Sequence, residues 1–152
     1  MNEITFGFVK PDAYAHRHAI LEEFILPSGL SVVKEKDPYF FTEEKTKAHY
    51  IEHVDKDFFG ASLLPFTLYG LSGINESRHG PRRPAPTALW VLEGEDALNV
   101  LNAKTGVTDP TQAKDDSIRT GEQTIRAVYG TAVPDNAFHR ADSYASARRE
   151  IM

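Results

Sequence analysis

A β-rich run, EITFGFV at residues 3–9, ends abruptly in Lys10-Pro11-Asp12. Proline has no backbone N–H to continue a sheet ladder, so the strand must stop at Pro11. Asp12 then reads as the N-cap of a helix. A strand that turns at once into a helix sets the first unit as β–α. Ala19, Ile20, Phe24 and Ile25 recur at helical spacing and predict that helix over 13–26, closed by Pro27-Ser28-Gly29. Residues 30–41 (LSVVKEKDPYFF) read as a second strand, in which Pro38 implies an edge or a bulge.

Thr42 before Glu43, Glu44 and Lys45 opens a helix with Ala48, Ile51 and Val54 on its apolar face. After Asp55-Lys56-Asp57, a second short helix over 58–69 completes a helical hairpin. Residues 73–86 (GINESRHGPRRPAP) are too rich in Gly, Pro and Arg for a regular element and read as a long exposed loop. TALWVL (87–92) is a buried strand, and Glu93-Gly94-Glu95-Asp96 turns into a helix with Ala97, Leu98, Val100 and Leu101 on its buried side. From Gly106 to about Gly130 the chain is polar and turn-rich; 136–139 form a last short strand, and Asp142-Ser143 caps a final helix over 143–151. Strands and helices in this order suit one α+β sandwich with a split βαβ sheet, spanning 1–152 as a single domain.

Composition narrows the function. The chain is 41% hydrophobic and 26% charged, the mix of a soluble globular domain. No apolar run approaches the roughly 18–20 residues that span a bilayer. The start, MNEITFGFVKPD, lacks a basic stretch followed by an apolar core, which reads against a signal peptide and for a cytoplasmic protein. With no cysteine, thiol catalysis, cysteine-ligated zinc and a disulfide scaffold are excluded. A net charge of −5 argues against a bulk grip on nucleic acid, while a local basic pocket for a small anion stays open.

Two of the six histidines, His49 and His53, stand four apart on an expected helix, the spacing of two zinc ligands. No Glu follows His49 as a zinc-protease helix requires, so they read as partly exposed helix residues. His139 differs. It closes a β-like segment just before a capped helix start, Arg140-Ala141-Asp142-Ser143, where backbone N–H groups and a helix dipole help hold phosphate. A neutral imidazole is also a competent nucleophile. Taken alone, the position is better explained by a structural histidine.

The wider context decides between them. TFGFVKPDA (5–13), Ala48-His49-Tyr50 eight residues before Phe58-Phe59, and WVLEGEDAL (90–98) occur in order. Gly106-Val107-Thr108-Asp109-Pro110, Thr124-Ile125-Arg126, Asn136-Ala137-Phe138-His139, Asp142-Ser143 and Ser146 to Ile151 follow. This ordered set resembles the nucleoside diphosphate kinases across nearly the whole chain. Its most specific part is the N-x-x-H-x-x-D-S block, with Arg126 thirteen residues before His139.

The resemblance implies a ferredoxin-like fold with a four-stranded antiparallel sheet and helices packed on it. It implies a kinase that moves the terminal phosphoryl group of a nucleoside triphosphate to a diphosphate by a ping-pong route. His139 would be the nucleophile, oriented by Glu150. Lys10 and Tyr50 would hold the transferring group, and Arg126 and Thr108 the diphosphate. Asn136 and Lys10 would meet the ribose, with Phe58 and Val133 on the two faces of the base. Mg²⁺ would bridge the phosphates rather than sit in a protein cage. The family also implies a homo-oligomer.

Four departures qualify the match. Asn102 stands where the family carries an Arg, six residues before Thr108. Arg140-Ala141 replaces Gly-Ser after the nucleophile. Thr108 and Arg126 are about seven residues further apart than usual, which makes Arg119 a second candidate for the diphosphate, and some twelve extra residues occupy roughly 74–85. Arg82, Arg83, Arg119 and Arg140 are the cations that could offset Asn102. A nucleotide-binding regulatory homologue with little activity is therefore the alternative to an active kinase, and an unrelated small-molecule-binding module a third.

Overall fold

The computed structural model describes residues 2–42, 44–45, 49, 85–131 and 136–141. Strand β1 (Asn2–Val9) is buried from Thr5 onward on both faces, as its unbroken apolar run implies. The chain then runs helical from Pro11 to Ser28, changing gauge as it goes. It is 3-10 over Pro11–His16, α over Arg17–Ile20 (α1), π over Leu21–Ile25 and 3-10 again over Leu26–Ser28. Gly29, at φ 92°, closes it in the left-handed conformation.

This helical segment starts earlier than the sequence pattern implies, and without the expected cap. Pro11 takes the first helical position, where a missing N–H costs nothing, and extended Lys10 precedes it. Asp12 does not cap; its Oδ2 accepts from the backbone N–H of Ala137, at 3.0 Å.

Strand β2 (Ser31–Tyr39) lies at the sheet edge and pairs with β3 (Thr87–Glu95), with register shifts between Val32 and Lys34 and between Lys36 and Tyr39. The irregularity expected from Pro38 falls in the second shift. β3 outlasts its expected end at 92, because β1 pairs along its whole length, from Val9↔Ala88 to Asn2↔Glu95. Helix α2 (Ala97–Thr105) buries Ala97, Leu101 and Thr105.

The stretch from 106 to 130 corrects the sequence reading. It holds helix α3 (Pro110–Thr120) and helix α4 (Ile125–Tyr129). Asp109 caps α3 by accepting from Thr111 N, Pro110 occupies its first turn, and Gly121 ends it at φ 78°. Thr124 caps α4 by accepting from Ala127 N. Strand β4 (Phe138–Arg140) begins two residues later than expected.

The sheet order is β2-β3-β1-β4, every pair antiparallel. With helices on it, this is the expected α+β, ferredoxin-like arrangement. One sheet face packs Val9, Ala88, Trp90, Leu92 and Phe138 against Ile20, Phe24, Ile25, Leu101 and Ile125. The other carries an aromatic patch of Phe6, Phe8 and Phe41. Glu44, Lys45 and His49 are helical, and Lys45 N donates to Thr42 Oγ1, as the helix start at Thr42 requires. The helix expected at 58–69, most of the loop at 73–86 and the helix at 143–151 lie outside the described residues.

Candidate active site

The site forms where the C-terminal end of β1 meets β4. Side chains alternate along a strand, so Phe6, Phe8 and extended Lys10 share one face. His139 is paired in register with Phe8 and lies on that same face. Its ring stacks on Phe8, with centroids 5.0 Å apart and planes 25° apart. The ring of His49 meets it edge-on at 4.4 Å and 71°.

β4 is led in by a tight turn. Phe138 N donates to Asn136 O at 2.9 Å around Ala137, whose φ is 73°. That geometry is a γ-turn with positive φ, a strained conformation for alanine that persists only where its surroundings over-determine it. Here they do. Ala137 N–H donates to Asp12, and Ala137 O accepts from Lys10 N at 2.8 Å. The K-P-D run after β1 therefore clamps the turn that sets His139.

Side-chain bonds extend the clamp. Lys10 Nζ donates to Asn136 Oδ1 at 2.8 Å, with Lys10 only 7% exposed. Asn136 Nδ2 donates to Thr108 O at 2.9 Å, which draws the loop after α2 to the same place. Arg126, from α4, is 6% exposed; its Nε and Nη2 donate to Phe138 O and its Nη1 to Gly106 O. Those carbonyls fix the guanidinium in place. Gly106 allows the close approach, since a Cβ there would lie 2.5 Å from Thr124 Oγ1.

Lys10, Thr108, Arg126, Asn136 and His139 are thus joined by direct bonds or by adjacent backbone. Arg119, by contrast, sits on α3, pairs with Asp116 at 2.8 Å and is 73% exposed, whereas Arg126 reaches the carbonyl just before His139. Asn102 and Arg140 line one cavity of about 370 Å³ with Asn99, Gly106, Val107 and Thr124. By strand alternation Arg140 faces this cavity from the side of the sheet opposite the His139 ring. Tyr50, Phe58, Val133 and Glu150 lie outside the described residues, as do Arg82 and Arg83.

Over residues 3–152 the sequence matches the family model for nucleoside diphosphate kinase. The chain belongs to the nucleoside diphosphate kinase family. Its fold is similar to the nucleoside diphosphate kinase of Aquifex aeolicus, at 31% identity and a TM-score of 0.77 over 99% of this chain and 93% of that one. It is also similar to the halophilic enzyme of Halobacterium salinarum in complex with CDP, at 30% identity and a TM-score of 0.76, covering 99% of this chain and 86% of the other. A third likeness is to the enzyme of Encephalitozoon cuniculi, at 25% identity and a TM-score of 0.77, covering 98% and 86%.

Sequence reasoning missed three contributors to this family member's site. Asp12 reads as a helix cap but holds the turn at Ala137. Phe8 reads only as part of the first strand but seats the His139 ring. His49 reads as a partly exposed helix histidine but is 9% exposed and touches His139. The alternation of Phe6, Phe8 and Lys10 was the available signal for the second; the others depend on contacts between segments more than 85 residues apart.

Proposed function

We propose that the chain transfers the terminal phosphoryl group of a nucleoside triphosphate to a nucleoside diphosphate, through a phosphorylated His139. A neutral imidazole nitrogen attacks the γ-phosphorus; the N–P bond forms as the bond to the departing diphosphate oxygen breaks. An incoming diphosphate reverses the step and leaves with the phosphoryl group. The observation that carries the reading is the convergence of Lys10, Asn136, Thr108 and Arg126 on the strand that holds His139. Phosphoryl transfer asks little of a protein beyond positioning and charge stabilisation, and this donor set offers both.

In this reading Lys10 and Tyr50 hold the transferring group, and Arg126 and Thr108 bind the diphosphate. Asn136 and Lys10 meet the ribose, Phe58 and Val133 enclose the base, and Glu150 orients the imidazole. Arg140, in the cavity it shares with Asn102, would supply the cation that Asn102 lacks. The Halobacterium salinarum complex with CDP supports a nucleoside diphosphate as ligand. Ammonium, guanidinium and amide donors suit phosphate oxygens rather than a metal. Mg²⁺ would accordingly ride on the nucleotide's phosphates, where it neutralises charge.

We further read residues 1–152 as one such domain acting in the cytoplasm, where nucleoside triphosphates are supplied. Self-association fits β2, an edge strand of the described sheet that carries exposed Val33 and is followed by exposed Phe40, at 50% and 46% exposure. The neutral Asn102 favours the second reading, a nucleotide-binding homologue with little activity. Steady-state transfer from ATP to a series of diphosphates separates the two. Parallel double-reciprocal lines and weak discrimination among bases are expected, since stacking on Phe58 tolerates any π-face. Binding of diphosphates without turnover would favour the regulatory homologue.

A further inference from the structure

We infer that Asp12 is a positioning residue for phosphoryl transfer, acting through Ala137 on the strand that carries His139. The inference rests on His139 being the phosphoryl acceptor. It is carried by where the backbone groups at the end of β1 go. The ladder between β4 and β1 runs from Ala141, whose N–H donates to Phe6 O at 3.1 Å, back to Ala137, whose O accepts from Lys10 N at 2.8 Å. The reciprocal bond, from Ala137 N–H to Lys10 O, would complete an antiparallel pair. Lys10 O instead accepts from Ala13 N at 3.0 Å, in the first turn of the helical segment. Ala137 is fully buried, and a buried N–H left without an acceptor is costly. The Asp12 carboxylate takes that N–H, at 3.0 Å.

The bond does more than satisfy a donor. Ala137 stands at φ 73°, in the left-handed region that a Cβ disfavours, and Phe138 N–H closes the turn onto Asn136 O at 2.9 Å. An alanine released from its partners would return to negative φ, and the chain after it would move with it. His139 follows two residues later, in a strand of only three residues at the edge of the described sheet. Pairing with Phe8 holds that strand from one side, so the turn is the second constraint on where the imidazole stands. In the proposed mechanism Glu150 orients the ring, whereas Asp12 holds the backbone from which the ring projects. Misplacement of a reacting group by about 1 Å can cost on the order of a hundredfold in rate, so a tie that never touches substrate still bears on the chemical step.

The test measures single-turnover formation of the phosphoenzyme from saturating ATP, with steady-state kcat and KM beside it. Asp12→Ala is expected to slow phosphorylation by roughly tenfold or more, with KM changed little. Asp12→Asn, which keeps an acceptor oxygen, is expected to retain most of the rate. The deciding variant is at the turn. Glycine adopts positive φ without strain, so Ala137→Gly leaves Asp12 little to hold. In the Ala137→Gly background, adding Asp12→Ala is expected to cost less than about threefold. A role of Asp12 through any other contact would cost the same factor in both backgrounds. Parental phosphorylation in Asp12→Ala overturns the inference, as does an undiminished loss in the Ala137→Gly background or a loss in Asp12→Asn equal to that in Asp12→Ala. Should Asp12→Ala alone not fold, the double variant decides: phosphorylation close to that of Ala137→Gly upholds the inference, and slow phosphorylation or failure to fold overturns it. Failure of the unmodified chain to form any phosphoenzyme would instead strike at the phosphoryl-transfer reading.

Discussion

Lys10 and Arg126 are cations held almost out of water, one on a side-chain amide and the other on main-chain carbonyls. Both bonds keep the charge in place and aim it, which is what a phosphate site needs before any phosphate arrives. Arg140 stands directly after His139 and turns to the opposite side of the strand. Its cavity is shared with Asn102, a neutral donor. Arg140→Ala is expected to weaken ADP binding about ten- to a hundredfold, the worth of one charge-assisted hydrogen bond of about 1.5–3 kcal/mol, as read by calorimetric titration. Unchanged ADP affinity would leave the diphosphate to Arg126 and Thr108.

At the scale of elements, β4 is a three-residue strand that holds its place by fitting closely against β1. Gly7 makes that fit possible. A Cβ at position 7 would lie 2.6 Å from the Phe138 ring and 2.8 Å from His139 O, closer than real contacts allow. Gly7→Ala should therefore lower stability by roughly 1–3 kcal/mol or more and displace His139, measured as denaturant midpoint and as loss of turnover together. The first helical segment is tied to β2 through Asp37, which accepts from Tyr14 Oη and from Arg17 Nε at 2.7 Å. The hydrogen bond to Asp37 raises the Tyr14 pKa above its usual 10.0, with burial and the Asp37 charge adding and Arg17 opposing. A raised folded value means that the bond's contribution is complete below pH 10 and is lost as pH rises through the folded pKa. Unfolding midpoints of the parent should thus fall more steeply above pH 10 than those of Tyr14→Phe; equal slopes would contradict the sign. Much of this layer was legible in the sequence, because Pro11, Gly29, Thr42 and Pro38 each act locally on the backbone. Helix α3 was not, since its buried positions are only Pro110, Ala113 and Ser117, too weak an apolar stripe to signal a helix. Its Asp109-Pro110 start and Gly121 stop were the readable signs.

Over the whole molecule the net charge is −5, yet Lys10, Arg126 and Arg140 gather near one edge of the sheet. In the phosphoryl-transfer reading, this local cluster serves a small anion within a chain of net negative charge. That Lys10, Asn136 and Arg126 stand beside His139 was legible because the chain preserves an ordered set of motifs. The contacts that join these segments were not. His49 against His139 spans 90 residues of sequence and Asp12 against Ala137 spans 125, and no local rule reports such pairs. The central claim is that His139 carries the phosphoryl group. Incubation with γ-labelled ATP, followed by acid and base treatment and a chase with unlabelled diphosphate, tests it directly. The account predicts label that is acid-labile and base-stable, that leaves on the diphosphate, and that is absent from His139→Ala. Label of the same chemistry persisting in His139→Ala, with turnover intact, would contradict it.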